Sequence, residues 1–313
     1  MKPKKVIPVV LVVVLLVFLL PVFLAQAAPA EERPLQVVHL ADTRYEEVSF
    51  TNEAQDIPLA GMLFLPDSDG PYPAAVMIHG SGTSIRDDGW YVTLAAYLQE
   101  NGIAVLLPDK RGSVRSGGDW RTASFEDLAT DTAAAVAYLE SRADLPLSAV
   151  GVIGSSQGGQ LSPVVATQTP GVAFVVNATG AAVTIEEQLL YEENYNLREM
   201  GVLPGLSNLV AYPSAWSIRA VRQKAFWDTV GGFDPLPYWQ QVEVPALVLY
   251  GAEDTNVPTA RSAALLNGLG KDNIEVIVFE GSGHALEDPP GQGNRKIRLE
   301  ALEAVRDFIL KTE

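Results

Sequence analysis

The chain has no cysteine, which excludes disulfide bridges, thiol catalysis, iron–sulfur ligation and lipid attachment to an N-terminal cysteine. It has three histidines and neither an HExxH run nor a Cys/His cluster, so no metal centre is indicated. Cations are also scarce: 22 Lys+Arg stand against 38 Asp+Glu, for a net charge of -16. Nucleic acid needs a basic face, and this balance argues against it as a partner. No GxGxxG follows an apolar run. Ahead of Gly270-Lys271, Leu265 stands where a phosphate-binding loop needs glycine. No cofactor is therefore expected. A charged fraction of 19% against 48% apolar residues excludes a disordered chain. The 313 residues suffice for one large α/β domain or two small ones.

The first segment bears on compartment. Lys2, Lys4 and Lys5 precede an apolar run from Val6 to Leu24, followed by Ala25-Gln-Ala-Ala-Pro29. A basic start, an apolar middle and a small-x-small site make a secretory signal, cleaved after Ala27. Residues 1–27 are read as that signal, which predicts a secreted or extracytoplasmic protein. The run over residues 6–24 is also just long enough to span a bilayer, so an uncleaved form would tether the protein to a membrane. Residues 28–43 read as an exposed lead-in.

From residue 44 to 313 strand-like and helix-like segments alternate. Glu46–Thr51 and Ile57–Leu65 look like an antiparallel pair. Short apolar runs follow at Ala74–Ile78, Ile103–Leu107, Ala149–Ile153, Val172–Val176, Ala246–Tyr250 and Ile274–Phe279, as expected for parallel strands covered on both faces. Helical patterns lie between them at Tyr91–Glu100, Phe125–Arg142, Gly158–Thr167, Thr259–Leu269 and Arg295–Leu310. The alternation predicts a mostly parallel sheet with helices on both faces. Residues 181–244 break the rhythm with helix-like stretches and no strand run, and are far too long for a loop. They read as a helical cap insertion over the sheet's carboxyl edge.

Four features converge on one chemistry. Gly154-Ser-Ser156-Gln-Gly158 sits between a strand run and a helix, as a nucleophile elbow requires, and the spacing puts Ser156 rather than Ser155 at the tip. A serine needs a base with a pKa near neutrality. His39 lies in the lead-in and His79 in a Gly-rich turn, which leaves His284, in the loop after the last strand run. Asp254 follows the penultimate run and can hold the histidine's tautomer. Glu253 competes for that role, and Asp254 could instead be a helix cap. Finally, His79-Gly-Ser81-Gly82 after the third strand can supply one backbone donor to an oxyanion, from Ser81, with Gln157 supplying the other.

Together these features resemble the α/β-hydrolase superfamily, from about residue 44 to the end. His79-Gly-Ser-Gly and Pro108-Asp-Lys-Arg-Gly112 look like its branch of serine-aminopeptidase-like esterases. The resemblance implies an eight-stranded sheet whose first two strands are antiparallel, and a cap between the sixth and seventh. It also implies a catalytic set of Ser156, Asp254 and His284, with the Ser81 and Gln157 amides as the oxyanion hole.

Among weaker signals, Asp109 and Arg111 are expected to pair and brace the active-site floor. Glu186, Glu187, Glu192 and Glu193 could receive a substrate amine or simply form a solvated face. Trp216, Phe226, Trp227, Tyr238 and Trp239 could line an acyl pocket or pack the cap onto the core. Asn177-Ala-Thr179 has the pattern of a glycosylation site but falls at a buried strand end. The expected activity is hydrolysis of a small-molecule carboxylic ester through an acyl-enzyme. A peptidase acting on small peptides and a non-catalytic ligand-binding relative are the alternatives. Oligomeric state is not legible.

Overall fold

The computed structural model describes residues 37–288 and 296–312. The signal sequence at 1–27, the tether run at 6–24 and the first part of the lead-in lie outside the described residues. Eight strands form one sheet: β1 (Glu46–Asn52), β2 (Ile57–Phe64), β3 (Tyr72–Ile78), β4 (Ala104–Pro108), β5 (Leu147–Ser155), β6 (Val172–Ala178), β7 (Ala246–Gly251) and β8 (Ile274–Phe279). Their order is β1-β2-β4-β3-β5-β6-β7-β8. β2 runs antiparallel to both its neighbours, and every pairing from β4 to β8 is parallel.

The apolar runs are strands because both faces of the sheet are covered. Ala74, Val76 and Ile78 of β3 enter one core, while Ala75 and Met77 enter the other. This is the period of two expected of a pleated strand. One core takes in helices α2 (Phe125–Ser141) and α3 (Gln157–Gln168). The other takes in α1 (Gly89–Glu100) and the C-terminal helix over Leu299–Lys311. α2 starts where it does because Ser124 and Asp127 form a capping box: each side chain accepts the other's backbone N–H, at 3.0 and 2.9 Å.

Between β6 and β7 lie α4 (Ile185–Glu199), α5 (Pro204–Ser217), α6 (Lys224–Val230) and α7 (Leu236–Gln241), with no strand among them. After β7 comes α8 (Thr259–Gly268), and the C-terminal helix is α9. α9 begins later than the sequence pattern suggests: Ile297 forms an antiparallel bridge with Glu287, and the helix starts at Leu299. The end of the lead-in is not free. Val38 N–H donates to Thr93 Oγ1 on α1 at 2.9 Å, and Leu40 N–H to Asp87 at 2.7 Å.

The expected Asp109–Arg111 pair does not form. A turn after β4, closed by Ser113 N–H on the Lys110 carbonyl, sends the two side chains apart. Asp109 takes Arg86 at 2.8 Å, and Arg111 takes Asp131 at 2.8 Å. Both pairs still brace the end of β4, through other elements. At the end of β6, Asn177 is fully buried and its amide spans both polar groups of Gly180.

Candidate active site

Ser156 stands between β5 and α3 with φ 54° and ψ -116°, a left-handed backbone that a serine adopts only where its surroundings enforce it. Here β6 enforces it: Ser156 N–H donates to the Ala178 carbonyl at 2.9 Å. The flanking glycines are sterically required. A Cβ on Gly154 would lie 2.0 Å from the Gly158 carbonyl oxygen, and one on Gly158 would lie 2.1 Å from that of Ile78.

Ser156 Oγ lies 3.0 Å from His284 Nε2, and His284 Nδ1 lies 2.8 Å from Asp254 Oδ2. The three residues thus form one hydrogen-bonded line although 128 and 30 positions separate them. The loop carrying His284 is pinned. Ser282 Oγ donates to the Glu287 carbonyl at 2.7 Å, Trp90 Nε1 donates to the Ala285 carbonyl at 3.1 Å, and Leu286 is buried in the core. The Asp254 side chain is fully buried, and its second oxygen accepts the backbone N–H groups of Asn256 and Val257 at 2.8 and 2.9 Å. It therefore both caps the turn before α8 and orients the imidazole. Glu253 is exposed.

The other histidines are elsewhere. His39 is exposed beside Asp87. His79 is half-buried, with Nε2 2.8 Å from the Pro108 carbonyl, and the loss of solvent around the ring lowers its pKa to about 4, which keeps it neutral. His284 differs. Burial acts to lower its pKa, but the hydrogen bond and charge of Asp254, with Glu192 and Glu287, more than offset this and raise it above the ordinary 6.5.

Ser156 opens into a cleft of about 410 Å³ that Ser81 and Gln157 also line. Gln157 is the first residue of α3, so its N–H has no intrahelical acceptor and is directed at the cleft end of the helix. The far wall comes from the helices between β6 and β7: Gln188, Leu189, Glu192 and Glu193 of α4, then Phe226 and Trp227 of α6. Of the aromatic group, only these last two face the cleft; Trp239 is fully buried in the core and Trp216 is exposed. Glu192 is half-buried, and desolvation, with the charge of Glu193, raises its pKa. Among the described residues no group of three His, Asp or Glu side chains could hold a metal ion.

Sequence reasoning passed over Lys110 and Tyr91. Tyr91 Oη accepts the Gly80 N–H at 2.7 Å, and Lys110 Nζ donates to the Gly80 carbonyl at 2.6 Å. The available signal was position: a lysine just beyond a parallel strand lies on the sheet edge where ligands bind.

Residues 90–312 match the prolyl oligopeptidase family. The chain is 27% identical over 271 residues to esterase EstD of Thermotoga maritima, covering 80% of this chain and 65% of EstD. It is 26% identical over 234 residues to dipeptidyl aminopeptidase BIII of Pseudoxanthomonas mexicana, covering 71% of this chain and 31% of that enzyme. It thus spans less than two thirds of either relative. An esterase of Pyrococcus furiosus superposes with a TM-score of 0.65 at 19% identity, over 91% of this chain and 99% of that one. Est1E of Butyrivibrio proteoclasticus does so with a TM-score of 0.58 at 19% identity, over 85% and 98%. Likeness at that identity speaks to the fold, and the family match runs from α1 to the C-terminal helix: the chain belongs to the prolyl oligopeptidase family, within the α/β-hydrolase superfamily.

Proposed function

We propose that the protein hydrolyses carboxylic esters through an acyl-enzyme on Ser156. His284 Nε2 takes the Ser156 proton as Oγ attacks the ester carbonyl, and the Ser81 and Gln157 amides receive the oxyanion. The imidazolium, held by Asp254, then protonates the departing alcohol. Water, activated by the same base, attacks the acyl-enzyme and releases the acid. The observation that carries this reading is the continuous line Ser156–His284–Asp254, which ends at a cleft that Ser81 and Gln157 also line. The esterase names of EstD and the Pyrococcus protein support the ester. The pattern of residues 1–27 supports export, with residues 6–24 as a tether where the signal is retained.

One observation favours a second reading. Glu192 and Glu193 line the same cleft, where two carboxylates suit the amino terminus of a small peptide, and a dipeptidyl aminopeptidase is among the relatives. Turnover of p-nitrophenyl esters of rising acyl length, set against amino-acyl p-nitroanilides, separates the two. Ester kcat/KM should exceed anilide kcat/KM for every acyl group tested. Anilide turnover equal to or above ester turnover would replace the ester reading with the peptidase one.

The base also sets a pH dependence. His284 must be neutral to accept the proton, and its pKa is raised. Falling pH protonates it, so kcat/KM should decline on an acid limb with its midpoint above 6.5. Glu192→Gln removes one of the carboxylates that raise this pKa, so the midpoint should move down. A wild-type rate that stays flat from the neutral range through that limb is incompatible with His284 as the base.

A further inference from the structure

We infer that Lys110 is a positioning residue that holds both oxyanion donors in line, an inference that rests on the ester reading above. Its Nζ donates to the Gly80 carbonyl at 2.6 Å and to the Gln157 side-chain oxygen at 2.8 Å. These two residues belong to different segments: Gly80 follows β3, and Gln157 opens α3. One amine therefore ties together the two pieces of chain that carry the proposed donors.

The Gly80 contact is the more telling. The Gly80 carbonyl and the Ser81 N–H belong to one planar peptide, and in a trans peptide they point in opposite directions. A donor fixed on the carbonyl oxygen sets the plane of that unit and turns the Ser81 N–H the other way, toward the cleft that Ser81 shares with Ser156. It also polarises the peptide, which makes the N–H a stronger donor to negative charge. The Gly80 N–H is held independently by Tyr91 Oη at 2.7 Å, so the loop is fixed on both sides of Gly80. A Cβ on Gly80 would lie 3.4 Å from Ser156 Cβ, which shows how closely this loop passes the serine.

The surroundings of Lys110 argue against an ordinary stabilising ion pair. The residue is 9% exposed, and no carboxylate among the described residues pairs with it. The neighbouring Asp109 is engaged by Arg86, and His79 is neutral. The Trp120 ring lies 5.2 Å from Nζ. Burial lowers the lysine's pKa to about 7, and even a neutral amine keeps two N–H groups for its two acceptors. Burying an amine without a counter-charge is unfavourable for stability. Both hydrogen bonds of its amine go to the loop and the helix start where the oxyanion would form.

The test compares wild type, Lys110→Met, Lys110→Gln and Ser156→Ala on one p-nitrophenyl ester. Each protein is also titrated with a trifluoromethyl ketone, which adds to the serine as a tetrahedral oxyanion. Lys110→Met should lower kcat about 10- to 100-fold, less than or equal to the loss of one direct donor. KM should stay within about threefold of wild type, because the loss falls on the transition state. The ketone's Ki should rise by the same factor as kcat falls. Lys110→Gln, which can still donate to the Gly80 carbonyl, should recover part of both losses. A residue that only supported the fold would shift the melting temperature or KM without this proportionality. Near-UV circular dichroism identifies any variant that does not fold, and if Lys110→Met fails, Lys110→Gln carries the comparison alone. Ser156-dependent turnover in wild type with kcat and Ki unmoved in the folded lysine variants would overturn this inference alone. Wild-type turnover that survives Ser156→Ala would overturn the ester reading and the inference with it.

Discussion

Ser156→Ala should lower kcat on a p-nitrophenyl ester by on the order of 10⁵- to 10⁶-fold while leaving the fold intact. The side chain's hydrogen bond is to His284 Nε2, and Oγ contributes no core packing. Alanine tolerates φ 54° no worse than serine does, because both carry a Cβ, and the Ser156 N–H bond to Ala178 is a backbone contact that alanine retains. Without Oγ no acyl-enzyme can form. A residual rate above water should remain, because the proposed oxyanion donors would still act when water attacks directly. The measurement is single-enzyme kcat with matched circular dichroism. A loss below tenfold would place the nucleophile elsewhere, with Ser155 as the first candidate.

Asp254→Asn should cost about 10⁴-fold in kcat at neutral pH, with little change in melting temperature. The direction follows from the two amides. Asn256 and Val257 N–H both donate to Asp254 Oδ1, so an asparagine must turn its own oxygen toward them to keep those bonds. Its NH₂ then faces His284 Nδ1, which has to become an acceptor. The ring proton moves to Nε2, the nitrogen facing Ser156, where it can no longer take the serine's proton. The turn before α8 keeps its cap, which is why the fold survives. Because the amide carries no charge, the raised pKa of His284 should also fall in this variant. A loss of less than about tenfold would mean that Asp254 only caps the turn, the role that cap preference alone suggests.

The strands were legible because a parallel strand covered on both faces must be apolar at every position, as Ala74–Ile78 and Ala246–Tyr250 are. The elbow was legible for a steric reason: Gly154 and Gly158 sit where no Cβ fits, so the constraint is written in residue type. His284 could be reached by elimination because the chain has three histidines. What could not be read depends on how distant segments meet. Arg111 finds Asp131 on α2, and Asp109 finds Arg86 in the loop before α1, and no local pattern distinguishes these partners from each other. The same holds for Lys110, whose two acceptors lie 30 and 47 positions away, and for the choice of Phe226 and Trp227 over Trp239 as cleft residues.

The buried amide at the end of β6 bears on where the protein can be produced. Asn177-Ala-Thr179 fits the acceptor pattern for N-linked sugar, and in a eukaryotic secretory pathway the sugar is attached while the chain is still entering the lumen, before any sheet exists to hide it. An oligosaccharide at Asn177 could not be accommodated afterwards. The residue is fully buried, its side-chain oxygen lies 2.1 Å from where a Cβ on Gly159 would be, and the next carbonyl along the strand holds the Ser156 backbone. Chains modified there could not seat β6 beside β5 and would be retained by quality control, whereas a bacterial host without that machinery leaves the strand free to close.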